Sequence, residues 1–176
     1  AWGDPISNGP SFKQDGSNSA DEQLQQWGMH NDGMHFFPFE RRAFGGIKMP
    51  SSSSGLLVSN HEYVDHGLLF ADGSAGWSAE KVRKSQAAHG VGVIEIAESA
   101  DRWAVVRPSS YARRITARTP MRITGPAAGS AAVKTAADPS GTEVLGTLNN
   151  CSHGYTPWGT FLTGEENFNG YFVNRG

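Results

Sequence analysis

The segment L-N-N-C-S-H-G-Y-T-P-W-G-T-F-L-T-G-E-E-N-F-N-G-Y (148–171) gathers a thiol, an imidazole, two carboxylates and several amides in one turn-rich stretch. Cys151 is the single cysteine of the chain, and Asn149, Asn150, Ser152, His153 and Gly154 make its surroundings polar. Metal ligation or nucleophilic chemistry therefore stands beside the plain alternative of an inert, packed thiol. Glu165, Glu166 and Asn167 offer hard oxygen donors of the kind that calcium, manganese and ferric iron collect. On a strand, alternation sends Glu165 and Glu166 to opposite faces, so only one of them can serve a shared site. The ordinary reading of such a pair is a solvated turn. N-H-E-Y (60–63), closing an apolar run, is a second cluster of the same type, with a strand-end polar patch as its alternative.

Other signatures of chemistry are absent. His61-Glu62 lacks the second histidine of a zinc helix motif, and neither a phosphate-binding glycine loop nor a nucleophile elbow occurs. A cysteine-protease context around Cys151 is missing too. Arg107, Arg113 and Arg114, near Ser109, Ser110 and Tyr111, have the geometry to hold an anion or simply to make a solvated face. His30, His35, His66 and His89 have no partner at a recognisable spacing.

The elements that must position these groups are short. The first 30 residues are rich in turn formers and read as an irregular arm, followed by a short apolar anchor at Met34, Phe36, Phe37 and Phe39, closed by Pro38. Ser51 to Gly55 reads as a loop before a strand beginning L-L-V-S-N-H-E-Y. Ser78 to Gly90 is the best helix, with Ser78 as N-cap, Trp77 placed to staple onto Val82, and Gly90 as its stop. V-G-V-I-E-I-A-E-S-A-D-R-W-A-V-V-R reads as a hairpin turning at Ser99 to Asp101. Further strand-sized pieces, T-E-V-L-G-T-L and W-G-T-F-L-T, follow. With 22 glycines and 9 prolines dividing many short strands, the class is mainly β, and sandwich and propeller both fit.

Composition narrows the function. Fifteen basic and 17 acidic residues leave a net charge of −2 and no basic stripe, which argues against nucleic acid as a partner. No apolar run is long enough to span a membrane as a helix. One cysteine excludes an internal disulfide framework, so the fold is expected to be held by packing, by metal or by chain outside these 176 residues. The chain starts at Ala1 without methionine and stops at Gly176 just after its motif-dense stretch, so the expectation is a piece of a longer protein, with any leader already removed.

Eight blocks then occur in order: N-H-E-Y (60–63), H-G-V-G-V-I-E-I (89–96), Y-A-R-R-I-T (111–116), T-P-M (119–121), I-T-G-P-A-A-G (123–129), L-G-T-L-N-N-C (145–151), T-P-W-G-T (156–160) and E-E-N-F-N-G-Y (165–171). Together they resemble the N-terminal part of the PhoX-type alkaline phosphatases, over most of the chain from about Gly55 onward. The resemblance implies a phosphomonoesterase acting on phosphate monoesters, usually monomeric, exported folded by the twin-arginine route to the periplasm or beyond the cell. It implies an irregular six-bladed β-propeller, with 1–54 as an irregular N-terminal arm and loop and 55–176 as the first part of the propeller. It also implies a cofactor of Ca2+ and Fe3+ ions, with Cys151 as an iron ligand, Glu166 as a metal ligand and Glu62 as a calcium ligand. Ser152-His153 after the cysteine, and Gly164 where many members have a second cysteine, depart from the family pattern. Further ligands are expected beyond Gly176, so the 176-residue chain alone is expected to be inactive. Two other readings share the carboxylates: a calcium-stabilised propeller that only binds, and a calcium-dependent propeller lactonase or phosphotriesterase.

Overall fold

The computed structural model describes residues 1–171. It is mainly β, as expected, and centres on one antiparallel sheet. Strand β1 (Asn31–Arg42) pairs with β2 (Lys48–His61), β2 with β3 (Gly90–Ser99), and β3 with both β4 (Arg102–Val105) and β5 (Arg113–Ile115). β4 lies along Ile96–Ser99 and β5 along Val91–Val93, so the two share one edge of β3 in succession. Two small ribbons stand apart: β6 (Pro120–Arg122) with β7 (Glu143–Leu145), and β8 (Asn150–Tyr155) with β9 (Phe161–Glu165).

The long first hairpin is where the structure departs most from expectation. The aromatic run around Phe36, Phe37 and Phe39 extends into a full strand, and Pro38 is accommodated because β1 lies at the sheet edge, where one row of amides has no ladder partner. Ser51 to Gly55 is strand rather than loop. Its polarity is absorbed by a bulge: Pro38 faces Gly55 while Glu40 faces Pro50, so the four serines oppose Phe39 alone. Ser51 Oγ accepts from the amides of Ser53 and Ser54 at 3.2 and 3.1 Å, supplying what the broken ladder withholds. The expected boundary between residues 54 and 55 consequently falls inside β2.

The N-terminal arm is irregular but packed. Pro5 bridges Gln26, Gly3 donates to the Trp27 carbonyl, and Gln26 Nε2 reaches the Pro10 carbonyl. This places Ile6 and Trp27 over Ile94, with Leu57, Ile96 and Val105 around them. On the opposite face Val58, Val91 and Val93 pack with Phe37, Leu56, Ile115 and Phe161. Leu56–Val58 of β2 and Val91–Ile96 of β3 thus send apolar side chains to both faces of the sheet. The Val93 face borders an open groove of about 910 Å3 that includes Phe39, Met121 and Thr160.

Helix α1 (Ala20–Gln23) is a single turn closed by a capping box between Ser19 and Glu22. Helix α2 (His66–Leu69) is likewise one turn, with Asp65 as its cap. Helix α3 (Ala79–Ala88) is the helix the sequence predicts, with Ser78 Oγ accepting from the Lys81 amide. It buries Ala87, Ala88 and, unusually, Lys84, whose ammonium donates to the carbonyls of Gly16 and Leu69 at 2.6 and 2.8 Å. The β3–β4 hairpin turns through Ala100 and Asp101, both left-handed at φ 50° and 60°, the geometry of a two-residue turn that matches strand twist.

Gly90 joins α3 to β3 with φ +100°, and a Cβ there would stand 2.0 Å from the Ile115 carbonyl oxygen. Gly90→Ala should therefore destabilise the fold by roughly 2 kcal/mol or more, combining strain and a clash with the β5 backbone. The midpoint of urea unfolding measures this; an unchanged midpoint would contradict it.

Candidate metal centre

The candidate ligands come from four chain segments that meet at one end of the first hairpin. Asp32 lies at the start of β1, inside a register shift between Asn31 and Met34 that breaks strict alternation. Glu62 directly follows β2, and its amide donates to the His30 carbonyl at 3.0 Å. Cys151 belongs to β8, and Glu166 directly follows β9, with its amide donating to the Asn149 carbonyl at 2.9 Å.

Buried amides lock these segments together. Asn60 is fully buried, and its Nδ2 donates to the carbonyls of Cys151 and Ser152 at 2.8 and 3.1 Å. Its Oδ1 accepts from Thr163 Oγ1 at 2.9 Å, so one side chain holds both strands of the β8–β9 ribbon. Asn150, equally buried, donates to Thr147 and Thr163, and Asn149 donates to the Glu62 carbonyl. Gly33 permits the close approach: a Cβ there would lie 2.7 Å from both the Cys151 carbonyl and His153 Nδ1.

One ligand atom from each of Asp32, Glu62 and Cys151 lies within 4.8 Å of the others. The carboxylates of Asp32 and Glu166 beside the Cys151 thiol favour its protonated form, and with burial they push its pKa up to about 12. Burial raises the Glu62 carboxyl, and the charges of Asp32 and Glu166 raise it further. Three carboxylates and a thiol crowd together with His30 as the imidazole in reach of Glu62; its ring stacks on Tyr63 at 3.7 Å. Such crowding suits a multivalent cation, which would favour every deprotonated donor at once.

Glu165 turns away, as alternation requires. Its Oε1 accepts from Thr147 Oγ1 and the Leu148 amide at 3.0 and 3.2 Å, so it braces the ribbon. His153 stacks on Phe161 beside His35 rather than in the acidic cluster. Asp32 was not among the residues singled out by sequence. It lies far from Glu62 along the chain in a polar turn-like stretch, H-N-D-G, and only the pairing of β1 with β2 brings it alongside.

The arginines hold backbone instead of an anion. Arg114 donates to the carbonyls of Gln26, Ala87 and His89, and Arg107 Nε donates to the Pro5 carbonyl at 2.7 Å. Burial draws the Arg114 guanidinium down to about 9, and the three carbonyl acceptors still favour the cation at neutral pH.

A family model for the alkaline phosphatase PhoX matches residues 1–175. The chain belongs to the PhoX alkaline phosphatase family. Among solved structures it is similar to Pseudomonas fluorescens PhoX in complex with vanadate, a transition state analogue, with 43% sequence identity and a TM-score of 0.90. The match covers 100% of this chain and 29% of that PhoX chain. No curated protein sequence matches.

The raised thiol has a measurable consequence. At pH 8 a thiol with pKa about 12 is roughly one part in ten thousand thiolate, against about a quarter for an unperturbed cysteine. Cys151 in metal-free protein should accordingly react with a maleimide orders of magnitude more slowly than in urea-unfolded protein, and Glu166→Gln should speed the folded-state reaction. Equal rates for folded and unfolded protein would contradict this electrostatic picture.

Proposed function

We propose that this chain supplies part of the metal centre of an alkaline phosphatase that hydrolyses phosphate monoesters, with Cys151, Glu166 and Glu62, joined by Asp32, as ligands of Ca2+ and Fe3+. The observation that carries the reading is the convergence of Asp32, Glu62 and Cys151 at ligand-to-ligand distances of 4.8 Å or less, with Glu166 against the same sulfur. The donor set fits both ions: carboxylates suit calcium and ferric iron, whereas a thiolate has little use in a calcium-only site. Bound there, the cations would neutralise phosphoryl oxygens and assist in-line attack on the ester.

The chain's own residues do the positioning. Asn60 and Asn149 hold the Cys151 and Glu62 segments at fixed separation, so the ligands need little rearrangement when a cation enters. Glu165, tied to Thr147 and Leu148, sets the direction in which the chain leaves β9 and hence where Glu166 begins. On the same reading, β1–β4 form one four-stranded antiparallel blade of an irregular six-bladed propeller. The enzyme acts as a monomer after twin-arginine export to the periplasm or the exterior.

A chimera tests the proposal. Residues 1–176 replace the matching 29% of the Pseudomonas fluorescens PhoX chain, and the product is assayed with a chromogenic phosphate monoester at alkaline pH. The expected result is turnover, visible absorption from a ferric thiolate, and iron and calcium by elemental analysis. Cys151→Ala in the chimera should lower iron content and activity together, with the fold kept. A folded chimera that is colourless and inactive would overturn the proposal, and full activity with unchanged iron in Cys151→Ala would return Cys151 to an inert thiol. The 176-residue chain alone is expected to show no appreciable turnover.

A further inference from the structure

Glu166, like Glu62, lies just outside a strand, so something other than a ladder must hold it. Its amide donates a hydrogen bond to the Asn149 carbonyl, which anchors one side of the segment that follows β9. The far side ends in a single helical turn (Phe168–Tyr171), and there the Tyr171 hydroxyl lies 3.0 Å from His89 Nε2. The direction of this hydrogen bond is fixed. His89 Nδ1 lies 2.7 Å from the Ser85 carbonyl, which only accepts, so Nδ1 carries the proton and Nε2 offers its lone pair to the tyrosine hydroxyl. His89 is buried, and burial draws its pKa down to about 4, so the imidazole is neutral in this arrangement.

His89 is itself immobilised. Arg114 Nη2 donates to its carbonyl at 2.8 Å and to that of Ala87 at 3.1 Å, and its ring meets Tyr171 edge-on at a centroid distance of 5.1 Å. The neighbouring Ala88 carbonyl accepts from the Met29 amide, just ahead of the stretch that carries His30 and Asp32. The end of α3 therefore braces two ligand-bearing segments that arrive from opposite ends of the chain.

We propose that His89 and Tyr171 are positioning residues, a clasp that holds the Glu166 carboxylate against the Cys151 thiol; the proposal rests on the metal-centre reading. Among the described residues, the clasp and the Glu166 amide are the hydrogen bonds that tie 166–171 to the rest of the chain, so without the clasp Glu166 would sample many rotamers and backbone states rather than stand preplaced.

The test uses the chimera with the rest of the Pseudomonas fluorescens PhoX chain, Ca2+ as the probe, and isothermal titration calorimetry beside hydrogen exchange at the Glu166 amide. The variants are Glu62→Gln, Tyr171→Phe, His89→Leu and the His89→Leu/Tyr171→Phe pair. Tyr171→Phe, which removes one hydroxyl, should weaken Ca2+ binding roughly three- to tenfold and speed Glu166 amide exchange by a similar factor, with exchange in β3 unchanged. His89→Leu should match it, and the double variant should be no weaker than either single one, because both delete the same bond. Wild-type affinity or wild-type exchange in Tyr171→Phe overturns the clasp, as do additive losses in the double variant. If His89→Leu fails to fold, Tyr171→Phe decides alone. A folded wild-type chimera whose Ca2+ binding is absent, or is unaffected by Glu62→Gln, instead overturns the metal-centre reading and the clasp with it, so the two failures are told apart.

Discussion

The buried amide of Asn60 is the constraint on which the rest of the site depends. A primary amide taken out of water costs several kcal/mol unless its donors and acceptor are met, and about 1–3 kcal/mol even on the mutational scale. Asn60 meets that demand only when Cys151, Ser152 and Thr163 are all in place. The β8–β9 ribbon shares no ladder with the main sheet, so these bonds are what sets its register against β2. A one-residue slip would leave the amide unpaired and carry Cys151 away from Glu62. Specific polar satisfaction here does what a hydrophobic contact cannot, because apolar packing tolerates sliding and a paired amide does not.

Against that rigid frame the acidic cluster is unfavourable by itself. Asp32, Glu62 and Glu166 repel one another around a thiol whose proton they retain, and burial of Glu62 adds to the cost. Frame and cluster are complementary: the hydrogen bonds of Asn60, Asn149 and Asn150 resist the repulsion that would otherwise splay the hairpin ends. Active sites commonly carry strain of this kind, stabilised by the structure around them.

The buried cations answer a different need. Arg114 and Lys84 each end on backbone carbonyls that no strand or helix satisfies, the first joining the arm, α3 and the start of β3, the second joining the arm to α2. An irregular arm leaves such carbonyls unpaired wherever it covers a core, and a multi-donor side chain serves several at once. This is why the arm packs tightly enough to bury Ile6 and Trp27 with little regular structure of its own.

Sequence alone determined the β class, helix α3 with its Ser78 cap and the hairpin at Ser99 to Asp101, and it singled out Cys151, Glu62 and the Glu165–Glu166 pair as candidate donors. Each of these rests on local periodicity, capping or residue type, which a short window contains. It also required that Glu165 and Glu166 diverge, since alternation needs only the strand. Tertiary structure decided the rest. Ser51 to Gly55 reads as a loop until a bulge and the Phe36–Phe37 partner strand absorb its polarity, and Asp32 reads as part of a turn until β1 pairs with β2. Arg114 looks like a surface charge until the arm closes over it, and His89 has no visible partner until Tyr171 arrives from the far end of the chain. In each case the deciding partner is distant in sequence, and the free energy that selects it comes from desolvated polar groups whose unmet hydrogen bonds no local pattern records.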